Sequence, residues 1–385
     1  MTALQKRVVA RLVAAQNAQD PELLRGQDAV SDAMALLREV APSPEEEIDL
    51  GAVAAVCWTF WFRHLGPEDP DAQQNLFIAV GTFGFLCPRV PGHVPLPPPL
   101  RDAFDPADPA HDARFSLVVS AVHADAALSP PNLAEADRLA TLEHALAWSD
   151  SALRQLPEDH WQFVELAAHA RGLNVSRFQL AADPDALATA ARHAATVCER
   201  LASIGQSALR PEVAQVAAVS LGTVMDAARL LGEPELAEAE RLVASFPDGT
   251  PAPEAVEGLR LLRAAHAEPA EWPGQRDLQF GTIIADAGIR EHDAGRIACA
   301  VLRLRAALAH TPAERPEHTL VITVLGQTLE ALARERGDDE AAREAAELLA
   351  PIDVTSMLSD VDRQLLADFQ DITELLGSGD PHRVQ

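Results

Sequence analysis

The chain has 385 residues, 48% of them hydrophobic, which is room for two ordinary domains or one elongated solenoid and excludes global disorder. Its formal net charge of −27 repels phosphate backbones and anionic lipid, which argues against nucleic-acid and membrane-surface binding. Ala and Leu dominate the apolar residues, Tyr is absent and aromatics are 4%, so composition points to helices rather than strands.

The acidic residues are spread along the chain and read as a solvated surface. The four cysteines, Cys57, Cys87, Cys198 and Cys299, form no Cys-x-x-Cys pair. Buried thiols in a reducing cytoplasm are the simplest reading. The N-terminus interleaves charged and apolar residues, unlike a signal peptide, and no window holds the roughly 18 uninterrupted apolar residues of a membrane span. A cytoplasmic location is therefore expected.

In chain order, Leu4, Val8, Val9, Leu12 and Val13 make one stripe of a first helix. A second is expected over about 26–40, faced by Val30, Met34, Leu37 and Val40. Ser43, Pro44 and three glutamates read as an N-cap, an N1 proline and an acidic first turn. They open a very apolar helix over about 45–65, and another follows over about 70–86. Trp58, Phe60, Trp61 and Phe62 are a dense aromatic cluster that cannot share one helical face, and core packing is the favoured reading.

Residues 88–111 are dense in proline, including Pro95, Pro97, Pro98 and Pro99, and cannot continue a helix. They read as a polyproline-like connector between an N-terminal helical region, 1–87, and helical repeats over 112–376, with a polar tail at 377–385. Within the repeats, four segments carry a mid-helix glycine, then a turn residue, then an alanine five positions on. The glycines are Gly172, Gly222, Gly281 and Gly326, separated by 50, 59 and 45 residues. The turn residues are Asp183, Gly232, Asp293 and Gly337, and the alanines Ala188, Ala237, Ala298 and Ala342. Stacked helical hairpins need small side chains where helices touch, which would offset the roughly 1 kcal/mol that a mid-helix Gly costs against Ala.

Leu221-Gly222 and Leu325-Gly326, with the turn Gly and the small residue of the second helix, resemble a degenerate tetratricopeptide repeat at longer than the usual spacing of about 34 residues. Residues 301–342 resemble the repeat of large actinobacterial proteins that carry such repeats before a caspase-like CHAT protease domain, and 57–85 with the proline-rich stretch resemble their amino-terminal part. The likeness touches about half the chain. It implies an all-α, TPR-like α-solenoid of antiparallel helix pairs acting as the recognition portion of such a system. By that resemblance, the residues expected to face a partner-binding groove are His169, Arg177, Thr223, Asp226, Thr282, Thr323, Gln327 and Glu330.

No Gly-x-Ser-x-Gly elbow, phosphate-cradling loop or His-Glu-x-x-His is present. No catalytic residue, metal ligand or cofactor is therefore assigned. His160 and His169 lie nine positions apart and do not share adjacent turns, so they read as surface or partly buried histidines. Asp338-Asp339-Glu340 resembles the carboxylate clusters of enzymes that bind magnesium diphosphates, such as terpene synthases, but a second aspartate at the right spacing is missing. The expected function is a non-catalytic scaffold holding a protein or peptide partner. A helical enzyme of magnesium-diphosphate chemistry and a domain sensing a small ligand remain the alternatives.

Overall fold

A computed structural model describes residues 1–40, 49–65, 71–86, 112–128, 135–157, 160–204, 211–233, 235–246, 253–267, 269–350 and 352. The expected cap at Ser43 and Pro44, the proline-rich connector at 88–111, the helix after the last repeat and the tail at 377–385 lie outside those residues. Among the described residues the chain is all helical, with fifteen α-helices, one 3-10 turn and no strand. It divides into two compact units, Met1–Leu166 and Ala167–Gln385.

The first unit contains α1 (Ala3–Ala18), a 3-10 turn (Pro21–Leu24), α2 (Gln27–Val40), α3 (Leu50–His64), α4 (Ala72–Leu86), α5 (Ala113–Leu128) and α6 (Glu135–Gln155). The helix α3 is apolar nearly all round and is accordingly buried nearly all round, as Ala52, Val53, Val56, Cys57 and Phe60 show. Asp49 caps it, its Oδ1 accepting the Ala52 amide at 3.0 Å. Phe60 and Trp61 are core residues, while Trp58 and Phe62 stack at 5.6 Å over Leu12, Ala15 and Leu24. The aromatic cluster is thus spent on packing. At the far end of α3, buried Arg63 donates to the Leu24 carbonyl and to Asn75 Oδ1, tying the 3-10 turn to α3 and α4. Between α5 and α6, Ser120 Oγ donates to the Ala145 carbonyl at 2.7 Å, and Phe115 meets Trp148 edge-on with ring centroids 6.0 Å apart.

The helix α7 (Trp161–Ala181) is followed by α8 (Pro184–Ile204), α9 (Pro211–Leu231), α10 (Glu235–Ser245), α11 (Pro253–Ala267), α12 (Gln275–Glu291), α13 (Ala294–Ala309), α14 (Pro316–Arg336) and α15 (Asp339–Leu349). The four glycine-marked segments are the helix pairs α7–α8, α9–α10, α12–α13 and α14–α15. The single helix α11 is inserted between the second and third pairs, which accounts for the longest of the glycine separations. By length and composition alone, α9 could cross a membrane, yet its Ala217, Leu221 and Val224 are fully buried in the core of this unit.

The turn residues divide into two roles. Gly232 (φ +93°) and Gly337 (φ +67°) take the left-handed conformation that glycine adopts at no steric cost. Asp183 and Asp293 instead start the next helix, accepting the Asp185 and Arg296 amides at 3.0 Å each. The left-handed residue in those two turns is the one before, Ala182 (φ 51°) and His292 (φ 54°). The alanines five positions on are not the shared contact, since Ala237 and Ala342 are exposed. One position earlier, Leu187, Leu236, Ile297 and Ala341 are buried in all four pairs.

The mid-helix glycines also divide. A Cβ on Gly281 would lie 2.8 Å from Leu304 Cγ, and one on Gly326 would lie 2.6 Å from Leu349 Cγ, so these two let the second helix of their pair approach. A Cβ on Gly172 or Gly222 would meet nothing within 4 Å. The close-approach explanation therefore holds for the last two pairs and fails for the first two.

Contacts in this unit do not run only between sequential pairs, as they do in an open solenoid. Gly295 of α13 sits against the ring of Phe178 in α7, where an added Cβ would lie 2.8 Å from Cζ. Arg336, at the end of α14, donates to the Leu180 carbonyl at 2.9 Å, and Arg303 of α13 donates to the Leu230 carbonyl at 3.0 Å. In both cases a guanidinium from a later pair caps the C-terminus of an earlier first helix, where free carbonyls and the negative end of the helix dipole favour a cation.

Candidate functional site

The eight residues expected in a groove have separate fates. Thr223 is buried, accepting from Arg171 Nη1 at 3.1 Å and donating to the Val219 carbonyl, so it joins α7 to α9. Thr282 and Thr323 turn their hydroxyls onto the carbonyls of Leu278 and Thr319 in their own helices. Arg177 pairs with Asp183 at 3.4 Å across the first hairpin turn, and Asp226 pairs with Arg229 at 3.6 Å. His169 is half-buried, and burial pushes its pKa down. Gln327 and Glu330 are exposed on α14.

A cleft in this unit lies elsewhere and contains none of the eight. It has a volume of about 420 Å³ and is walled by the N-terminal turns of α8 and α15 and by the flanks of α13 and α14. Its floor is apolar, formed by Val301, Leu302, Leu329 and Leu332, and Leu302 is 46% exposed. Its rim is acidic. Asp185, Asp338, Glu340 and Glu344 stand around it, with Arg305 the single cation of the lining. Arg305 makes a two-pronged ion pair with Glu344, Nε to Oε1 at 3.2 Å and Nη2 to Oε2 at 2.5 Å. Asp338 is the N-cap of α15, its Oδ1 accepting the Glu340 and Ala341 amides at 2.9 and 3.0 Å. The carboxylate run at 338–340 thus has its structural use in starting a helix.

The same unit holds a charged cluster around the buried Arg303. The Arg303 guanidinium lies 5.0 Å from the centroid of the Phe280 ring, against which the His266 imidazole stacks at 4.5 Å. Asp277 approaches Arg303 at 3.6 Å. Burial raises the Asp277 carboxyl above its ordinary range despite that neighbour, so the helix carbonyls rather than Asp277 are the main partners of Arg303. Burial, reinforced by Arg303, pushes His266 down to about 4. With its hydrogen bonds spent on the end of α9, Arg303 serves to hold α9 against α13.

Among the described residues, the cysteines and His160 are held in packing or capping positions. Cys57, Cys198 and Cys299 are free and buried, and burial pushes each thiol up to about 12, so the nucleophilic thiolate is scarce at neutral pH. His160 uses Nδ1 to accept the Gln162 amide at 3.2 Å at the start of α7. Among the described residues no three His, Cys, Asp or Glu side chains are grouped as a metal site would need.

Sequence reasoning missed Leu302, Arg305 and Glu344. The available signal was the run Val301-Leu302-Arg303-Leu304-Arg305, which carries one more apolar residue than a single buried stripe needs. No family model, no curated protein and no solved structure matches the chain.

Proposed function

We propose that this protein is a non-catalytic binding module, an array of TPR-like antiparallel helix pairs that holds a partner protein or peptide in the cleft between α8, α13, α14 and α15. The observation that carries the reading is Leu302, 46% exposed on the apolar floor of a concave surface in a strongly acidic chain. Following the likeness of residues 301–342, the partner belongs to a caspase-like CHAT protease system, and the protein works in the cytoplasm. The test is crosslinking and pull-down from the native host with the intact chain and with Leu302→Asp. Leu302 sits at a solvent-open position, so helix content should stay intact, which circular dichroism checks. Loss of the specific partner from the Leu302→Asp sample supports the cleft, and equal recovery from both samples refutes it.

A second reading has one observation in its favour. A cleft of about 420 Å³ falls within the roughly 300–1,000 Å³ that small-molecule sites occupy. A regulatory small ligand would raise the melting temperature of the intact chain and not of a Leu302→Asp variant.

A further inference from the structure

The cleft carries information about what fills it, beyond the claim that a partner binds. We infer that its occupant is a cationic amphipathic helix, with aliphatic side chains spaced one turn apart flanked by Lys or Arg. This rests on the binding reading above and specifies the chemistry of the same surface.

Three observations select that occupant. The floor of Val301, Leu302, Leu329 and Leu332 offers aliphatic contact, and the rim of Asp185, Asp338, Glu340 and Glu344 against a single Arg305 offers excess negative charge. An apolar stripe between cations complements both. The described residues contain no strand, so an extended peptide finds no sheet edge here, and an aliphatic floor between charged walls suits a helix laid in a groove. Two occupants of like charge are disfavoured. The chain's own residues 353–385 carry seven Asp and Glu against two Arg, and a second copy of the chain brings a net charge of −27. Arg305 occupies Glu344, which leaves Asp185 and Glu340, both exposed, to meet the incoming cations.

The experiment uses the full chain and a labelled 18-residue helical peptide with Leu at i, i+4, i+7 and i+11 and Lys beside them, read by fluorescence anisotropy at 50 and 300 mM salt. One control peptide carries Glu in place of Lys and a second carries Ser in place of Leu. The expected result is binding of the Lys-Leu peptide alone, weakened about tenfold or more by Leu302→Asp and by the double variant Asp185→Lys/Glu340→Lys, and weakened by salt. Glu212→Lys, at the start of α9 and outside the cleft, should leave it unchanged, which separates recognition from bulk attraction to an acidic protein. Equal binding of the Glu-Leu peptide, or equal loss on Glu212→Lys, overturns the inference. No binding of the Lys-Leu peptide also overturns it. If Leu302→Asp still abolishes capture of the native partner in that case, the binding reading survives and only the cationic helix is rejected.

Discussion

Arg303 donates Nε to the backbone carbonyl of Leu230 at 3.0 Å, linking two helices across 73 positions of sequence. A second donor, Nη2, reaches the Arg229 carbonyl at 3.3 Å, so one buried guanidinium satisfies the end of α9. Gly232 completes the arrangement, because a Cβ at that position would lie 2.6 Å from Arg303 Nη2.

Replacing Arg303 with Ala should therefore cost about 2 kcal/mol or more of unfolding free energy, since it removes a buried side chain, strands two part-buried carbonyls and leaves Asp277 without its cation. Arg303→Lys should recover only part, because one ammonium cannot reproduce the forked geometry. Urea unfolding of the three proteins checks this, and an Arg303→Ala variant as stable as the parent would refute the capping role.

The glycines predict opposite signs for one substitution. Gly172→Ala and Gly222→Ala place a methyl group in open space and should each stabilise by about 0.5–1 kcal/mol, the helix-propensity gain alone. Gly281→Ala drives a Cβ to 2.8 Å from Leu304 Cγ and 3.4 Å from the Ala300 carbonyl, and should destabilise by about 1 kcal/mol net. Gly326→Ala should cost less, because the Leu349 side chain it meets lies at the last residue of α15 and has more room to turn aside. Melting temperatures of the four single variants settle the ranking.

Stability should fall on acidification in part through two histidines. Burial lowers His123 and His266 from an ordinary 6.5 to about 4, with the facing His144 and Arg303 respectively adding to the effect. A folded-state pKa below the unfolded one means the unfolded chain takes up protons first. Their contribution is complete above pH 6.5 and is lost progressively as pH falls from 6.5 to about 4. Denaturation midpoints of the double variant His123→Gln/His266→Gln should show a flatter decline than the parent over that window. Parallel curves would mean that neither imidazole is held neutral.

The thiols of Cys57, Cys198 and Cys299 should resist a thiol-specific disulfide reagent at pH 8 in the folded protein and react at once in denaturant, because each is buried and pushed up to about 12. The measurement is made on Cys87→Ser, which removes the one other cysteine of the chain. Rapid labelling of this variant without denaturant would contradict the buried placement.

The sequence alone determined the all-helical class, the hairpin turns and the packing of the aromatic cluster, although the helix expected over about 45–65 is described as Leu50–His64 with Asp49 as its cap. Ala-rich composition, apolar periodicity, and glycine or aspartate at each turn are local properties, and local properties decide helix and turn. The expected helix ranges of 26–40 and 70–86 lie within two residues of Gln27–Val40 and Ala72–Leu86 for that reason. The roles within each repeat were less legible. Gly172 and Gly281 look alike in sequence, but only Gly281 has a leucine from the neighbouring helix at its surface, and that depends on how closely two helices approach.

Tertiary structure alone decided the closing contacts and the cleft. Two adjacent residues show why. Polarity places Leu302 inside and Arg303 outside, whereas Leu302 is 46% exposed and Arg303 is 3% exposed. The inversion follows from the end of α9, whose free carbonyls draw a guanidinium into the interior and turn the next residue of α13 outward. A helix end 73 residues away in sequence is invisible to any local pattern, so the exposed leucine that floors the candidate site could be found only once the chain had folded back on itself.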